Sequence, residues 1–83
     1  MAVSIRSPAH AAFGEAIRSI RKQRGISQER LALMCGLDRT YISGIECGTR
    51  NPSLTNILKI AATLDVNPAE IFACMQALTG PPA

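Results

Sequence analysis

Eighty-three residues, 47% of them hydrophobic, fit one small domain and exclude a large enzyme built around an enclosed pocket. Aromatic residues make up only 4% and Trp is absent, so the core must come from Ile, Leu and Ala, a mixture that suits packed helices. The net charge of +3 is unevenly placed: eight of the nine Lys and Arg and four of the six acids lie in residues 1–50, which leaves an apolar, near-neutral second half free to contact protein.

Residues 1–7 lack periodicity and read as a loose N-terminal arm. Ser7-Pro8 is a helix start, with Ser as cap and Pro at the first helical position. The first helix is expected over 8–24, with Phe13, Ile17 and Ile20 as its core stripe, Ala16 beside them, and Gly25 as its stop. Arg18, Arg21, Lys22 and Arg24 make its basic face. A second helix is expected over 28–35 and a third over 39–47, with Gly48 ending it. Ser53 caps a fourth helix over 54–64, whose apolar stripe is read as Leu54, Ile57, Leu58, Ala61 and Leu64. Asn67, Pro68 and Glu70 form a capping box for a fifth helix, with Ile71, Phe72, Met75 and Leu78 apolar and Gly80-Pro81-Pro82 as its end. The expected organisation is an arm at 1–7, a single all-α domain at 8–79 and a short tail at 80–83.

The middle of the chain, SQERLALMCGLDRTYISGIE at 27–46, carries the most information. Ser27 caps one short helix, Gly36 suits a left-handed stop after Cys35, and Asp38 caps the next helix. Leu31, Ala32, Cys35, Leu37, Ile42 and Ile45 can meet on an inner side, with the small Ala32 where the helices cross. Arg39, Thr40, Ser43 and Gly44 are left outward. A helix with a polar outer face, held off the body by a short turn, has the geometry of a DNA-binding helix-turn-helix. On that reading Arg39 presents a planar fork to the O6 and N7 of a guanine. Thr40 meets a thymine methyl or a phosphate, and Ser43 follows one turn on. Gln28, at the start of its helix, joins the free backbone N–H groups there in binding a phosphate. Gly44 lowers helix propensity, which suggests a close approach to DNA or to another helix.

This stretch resembles the helix-turn-helix of the Cro/repressor (XRE) family, through Gln28, Leu31, Ala32, Gly36, Ile42, Ile45, Glu46 and Gly48. The string DRTYISGIE is similar to the recognition helix of restriction–modification controller proteins. The resemblance implies a five-helix, lambda-repressor-like domain that acts as a homodimeric, sequence-specific transcriptional regulator on its own promoter. Its partners would be a double-stranded operator with palindromic half-sites and a second copy of itself. It further implies that Arg50 and Asn51 form a second phosphate clamp, that Tyr41 turns to the DNA backbone rather than packing on the domain, and that Glu46 pairs with Arg21 to tie the first helix to the third. A phage-type repressor and an antitoxin-like protein-interaction module are the alternatives. Met75 and Leu78 are the expected dimer contacts, one and two turns beyond an Ile71–Phe72 pair expected in the core.

An enzyme is not expected, because His10 is the only histidine and no nucleophile elbow, acid pair or phosphate loop is present. Cys35, Cys47 and Cys74 have no metal-ligand spacing and suit a reducing cytosol, with Cys35 and Cys74 expected in apolar surroundings and Cys47 more exposed. No cofactor, small-molecule ligand, metal or membrane partner is expected, and the expected setting is the cytoplasm, nucleoid-associated, for a bacterial or phage-encoded protein.

Overall fold

The computed structural model describes residues 7–79; the rest of the expected arm and the tail at 80–83 lie outside these. Among the described residues the chain forms α1 (Pro8–Gln23), α2 (Gln28–Cys35), α3 (Arg39–Cys47), α4 (Leu54–Leu64) and α5 (Pro68–Thr79). The caps set these bounds. Ser7, Ser27, Asp38 and Ser53 each accept a hydrogen bond from a backbone N–H in the first turn of the helix that follows. Before α5 the bonding is reciprocal: Asn67 Oδ1 accepts from the Ala69 N–H at 3.1 Å, and Glu70 Oε1 accepts from the Asn67 N–H at 3.2 Å. Gly36 and Gly48 end α2 and α3 in the left-handed conformation, at φ 70° and 78°.

Ile17, Leu31, Ile42, Ile45, Ile60, Leu64 and Ile71 make the fully buried centre of the core, with Phe13, Ala16, Ile20, Ala32 and Ala61 around them. α1 runs through the middle, packed on α3 and along α5, while α2 bridges α3 and α4. Gly14 permits the α1–α3 crossing. A Cβ there would lie 2.6 Å from the Glu46 carbonyl oxygen and would also strike that of Ile45, so any side chain forces the two backbones apart.

Three expectations about packing are corrected. On α4, Leu54 and Leu58 are 70% and 47% exposed, and the omitted Ile60 is fully buried. Leu54–Ile57–Leu58–Ala61 and Ile57–Ile60–Ala61–Leu64 both satisfy helical spacing, so periodicity alone could not choose the buried one. On α5, Ile71 is buried but Phe72 is 45% exposed, its ring tilted against that of Phe13 at 5.8 Å between centroids. Arg24, expected on the basic face of the first helix, instead caps the far end of α4. Its Nε donates to the Leu64 carbonyl at 2.9 Å and its Nη2 to that of Asp65 at 3.2 Å. It also lies one residue past the end of α1, as that helix's cap.

Candidate nucleic-acid interface

Burial of Ile42 and Ile45 fixes the rotation of α3 about its axis. Arg39 and Thr40 then stand exposed, with Ser43 and Gly44 half-buried beside them. These four line one shallow concavity together with Cys47, Thr49 and Arg50. The expected base-reading residues and Arg50 therefore share one surface. Asp38 organises its N-terminal edge, accepting from the Thr40 backbone N–H at 3.0 Å and from the Thr40 hydroxyl at 2.9 Å. Those two bonds, the backbone one first, hold the Asp38 carboxyl below its ordinary pKa, with a smaller contribution from the positive charge of Arg50. The Thr40 hydroxyl proton is committed to this bond, which leaves its methyl and its oxygen lone pairs for a ligand.

Behind this face lies an internal ion pair. Arg21 Nε and Nη2 donate to the two carboxylate oxygens of Glu46 at 2.7 and 3.0 Å, and Arg21 Nη1 donates to the Ile26 carbonyl at 2.7 Å. The two side chains are 9% and 2% exposed. Bonding to Glu46 raises the Arg21 guanidinium above its usual pKa despite desolvation, so Arg21 is charged at any physiological pH. Gln28, expected at a phosphate, donates its side-chain N–H to Glu46 Oε1 at 3.0 Å. The network thus holds the start of α2 and the end of α3 on α1.

Tyr41 is half-buried against the core, and its hydroxyl accepts a hydrogen bond from Asn56 Nδ2 at 3.0 Å. Its ring thus packs on the domain, the alternative to the DNA-facing reading, while the hydroxyl keeps a proton to donate. Asn51 is exposed, but it lines a different concavity from Arg50. That second concavity, about 170 Å³, is apolar and is formed by Phe13, Pro52, Ile57, Phe72 and Met75 with Ala9 and His10. Met75 borders it and Leu78 does not: Leu78 lines a separate groove with Pro8, Ala11, Ala12 and Glu15.

Two residues of structural consequence were not singled out by sequence reasoning. Asn56 holds Tyr41, and nothing in a polar residue in the first turn of a helix signals that partner. Thr63 accepts from the Cys35 thiol at 3.3 Å, which joins α2 to α4. Cys35 and Cys74 are part-buried and Cys47 is exposed. Among the described residues no group of three or more His, Cys, Asp or Glu is placed to hold a metal, and no helix is long and apolar enough to cross a membrane.

Comparison with known proteins matches residues 17–71 to a family described as helix-turn-helix. The control protein C.BamHI of Bacillus amyloliquefaciens is 53% identical over 61 residues, covering 72% of this chain and 75% of its own. The crystal structure of the restriction–modification controller protein C.AhdI from Aeromonas hydrophila superposes with a TM-score of 0.74 at 52% identity, over 75% of this chain and 94% of that one. The controller protein C.Esp1396I, crystallised as a tetramer with its natural 35 base-pair operator, gives a TM-score of 0.81 at 34% identity, over 89% of this chain and 97% of its own.

Proposed function

We propose that this chain, which belongs to the helix-turn-helix family and within it to the restriction–modification controller proteins, is a sequence-specific DNA-binding transcriptional regulator that acts as a homodimer on its own promoter. One observation of the structure carries the reading: α3 buries Ile42 and Ile45 and turns Arg39, Thr40, Ser43 and Gly44 to one open surface. Arg39 reads a guanine edge, Thr40 and Ser43 contact neighbouring bases, and Gln28, with the free N–H groups of α2, takes a phosphate. Tyr41, Arg50 and Asn51 flank this surface on the backbone side. Controller proteins as a family are DNA-binding regulators rather than catalysts, and no step of chemistry is assigned to this chain.

The second copy belongs on the apolar side. Leu54 and Leu58 stand one turn apart on the flank of α4 turned away from α2, since the opposite flank carries Asn56 toward Tyr41 and Thr63 toward Cys35. Phe72 and Met75 border the adjoining apolar concavity. A two-fold axis through this side buries self-complementary apolar surface and sets two recognition helices roughly 34 Å apart, one turn of DNA. Leu78, beyond α1, adds only at the edge. The experiment is a binding titration of the protein on a duplex from its own upstream DNA, against a scrambled duplex of equal length. A preference on the order of 10³-fold or more is expected for the first. Arg39→Ala is expected to lower affinity for the upstream duplex by roughly 5- to 150-fold with helicity unchanged. Equal affinity of the wild type for both duplexes sinks the assignment.

A further inference from the structure

Tyr41 lies on the flank of α3 that turns toward α4, outside the concavity shared by Arg39, Thr40, Ser43 and Gly44. Its ring packs against the core, so the body of the domain fixes where the hydroxyl oxygen sits. What remains to be set is the direction of the hydroxyl proton, which has two choices in the plane of the ring. Asn56, in the first turn of α4, makes that choice. Its Nδ2 donates to the Tyr41 oxygen at 3.0 Å. A hydrogen already directed at one side of the oxygen repels a second, so the phenol proton turns to the other side, away from Asn56. An oxygen that accepts one bond also donates a stronger one, because consecutive hydrogen bonds polarise each other. Asn56 is itself held in place: the residue is half-buried, and its backbone N–H donates to Ser53 Oγ at 3.2 Å. The positive end of α4 lies beside it and the first turn carries no acid, so the acceptor favoured there is an anion. On a duplex, away from the base-reading concavity, that anion is a backbone phosphate.

We propose that Asn56 is a positioning residue for DNA binding: by donating to the Tyr41 hydroxyl it aims the phenol proton at a backbone phosphate, without touching the DNA itself. The inference rests on the DNA-binding reading above and assigns it a residue of α4, outside the helix-turn-helix. It also makes the contact depend on how α3 sits against α4, since the two ends of the bond belong to different helices.

The test has two readouts. The first is titration on the upstream duplex and on a scrambled duplex with the wild type, Tyr41→Phe, Asn56→Ala, Asn56→Asp, and each Asn56 change combined with Tyr41→Phe. Every variant is checked for native helicity and for its dimer content. Tyr41→Phe is expected to weaken binding about fivefold per half-site, the worth of one hydrogen bond. Asn56→Ala is expected to weaken it about threefold per half-site, and to add nothing when combined with Tyr41→Phe. Asn56→Asp keeps the shape but can only accept, so it draws the phenol proton to itself. Beyond the charge repulsion that remains in the Tyr41→Phe background, it should lose the whole of the Tyr41 contact. All these losses are alike on the two duplexes, as befits a backbone contact. The second readout needs no DNA. Tyr41 is the only tyrosine of the chain and Trp is absent, so the tyrosine doublet in the Raman spectrum reports this hydroxyl alone. Its intensity ratio should move toward that of a strong donor in Asn56→Asp. Additive losses from Asn56→Ala and Tyr41→Phe overturn the proposal, because Asn56 then meets the DNA on its own. A doublet that Asn56→Asp leaves unchanged overturns it as well, because Asn56 then does not govern the hydroxyl. A wild type that binds neither duplex overturns the DNA-binding reading itself, and the inference with it.

Discussion

α3 hides Ile42 and Ile45 almost completely and turns polar or small residues outward, whereas α5 hides Ile71 and leaves Phe72 and Leu78 about half exposed. The first helix is finished by its own chain. Its outer face suits a hydrated, charged ligand, and what lies behind it is not only hydrocarbon but a bonded carboxylate, guanidinium and amide. The second helix has more apolar surface than α1 and α4 cover. In so small a domain such an excess destabilises the monomer unless another surface takes it up. The two regions therefore point to different partners, nucleic acid at α3 and a second copy at α5. Perturbing each should damage a different property.

The largest effect is expected at the ion pair behind α3. Glu46→Ala leaves Arg21 buried, charged and without its acceptor, and removes the partner of Gln28. Breaking a buried pair from one side costs about 3–5 kcal/mol, a large share of the stability of a domain this size. Urea unfolding should show the loss directly. Arg21→Met together with Glu46→Leu should recover much of it, because neither charge is then stranded. A single variant as stable as the wild type would show that the half around α3 owes its shape to packing alone.

Next comes the apolar side. Leu58→Glu with Phe72→Glu is expected to give a folded monomer in sedimentation equilibrium at micromolar concentration, because Leu58 and Phe72 are 47% and 45% exposed in the single chain. Operator affinity should fall by on the order of 10²-fold as the linked half-sites are lost. Leu78→Glu, in its separate groove, should weaken the dimer far less. If Leu78→Glu dissociates the dimer and the double variant does not, the two-fold axis passes on the other side of α1.

This contrast also marks what the sequence could reveal. The caps Ser7, Ser27, Asp38, Ser53 and Asn67 are local chemistry, and they located every helix to within a residue. The outward set on α3 followed from two buried isoleucines. The buried side of α4 did not follow, because Leu54–Leu58 and Ile60–Leu64 are both apolar lines at helical spacing and only the position of α1 decides between them. Phe72 was misplaced for a related reason: a large apolar residue beside Ile71 reads as core, and only the packing of α5 on α1 leaves its ring at the rim against Phe13. The bonds from Arg24 to α4, from Asn56 to Tyr41 and from Cys35 to Thr63 join residues 40, 15 and 28 positions apart, beyond the reach of any local pattern.

A smaller effect separates positioning from reading within the DNA-facing half. Gln28→Ala loses one hydrogen bond to Glu46, worth roughly 1 kcal/mol in unfolding experiments. Because Gln28 is assigned to phosphate, its loss should weaken binding to the preferred and to a scrambled duplex by a similar factor. A loss confined to the preferred duplex would move Gln28 to the set that reads bases.

The smallest effect is expected at Asp38, and its sign follows from the direction of its pKa. The bonds from Thr40 favour the carboxylate, so the folded-state pKa lies below the ordinary 3.8. The stabilisation is therefore present in full above that value and is lost as pH falls through the lowered folded value. Asp38→Asn keeps an oxygen to cap α3 but removes the titration and the negative charge that the start of a helix favours. Midpoints of urea unfolding for wild type and variant should differ slightly in favour of the wild type at neutral pH and converge as the pH is lowered below 4. Asp38 is fully open to solvent, so the difference should also shrink with added salt. A gap between the two curves that persists unchanged into strong acid would mean that the cap depends on the geometry of the Asp38 side chain rather than on its charge.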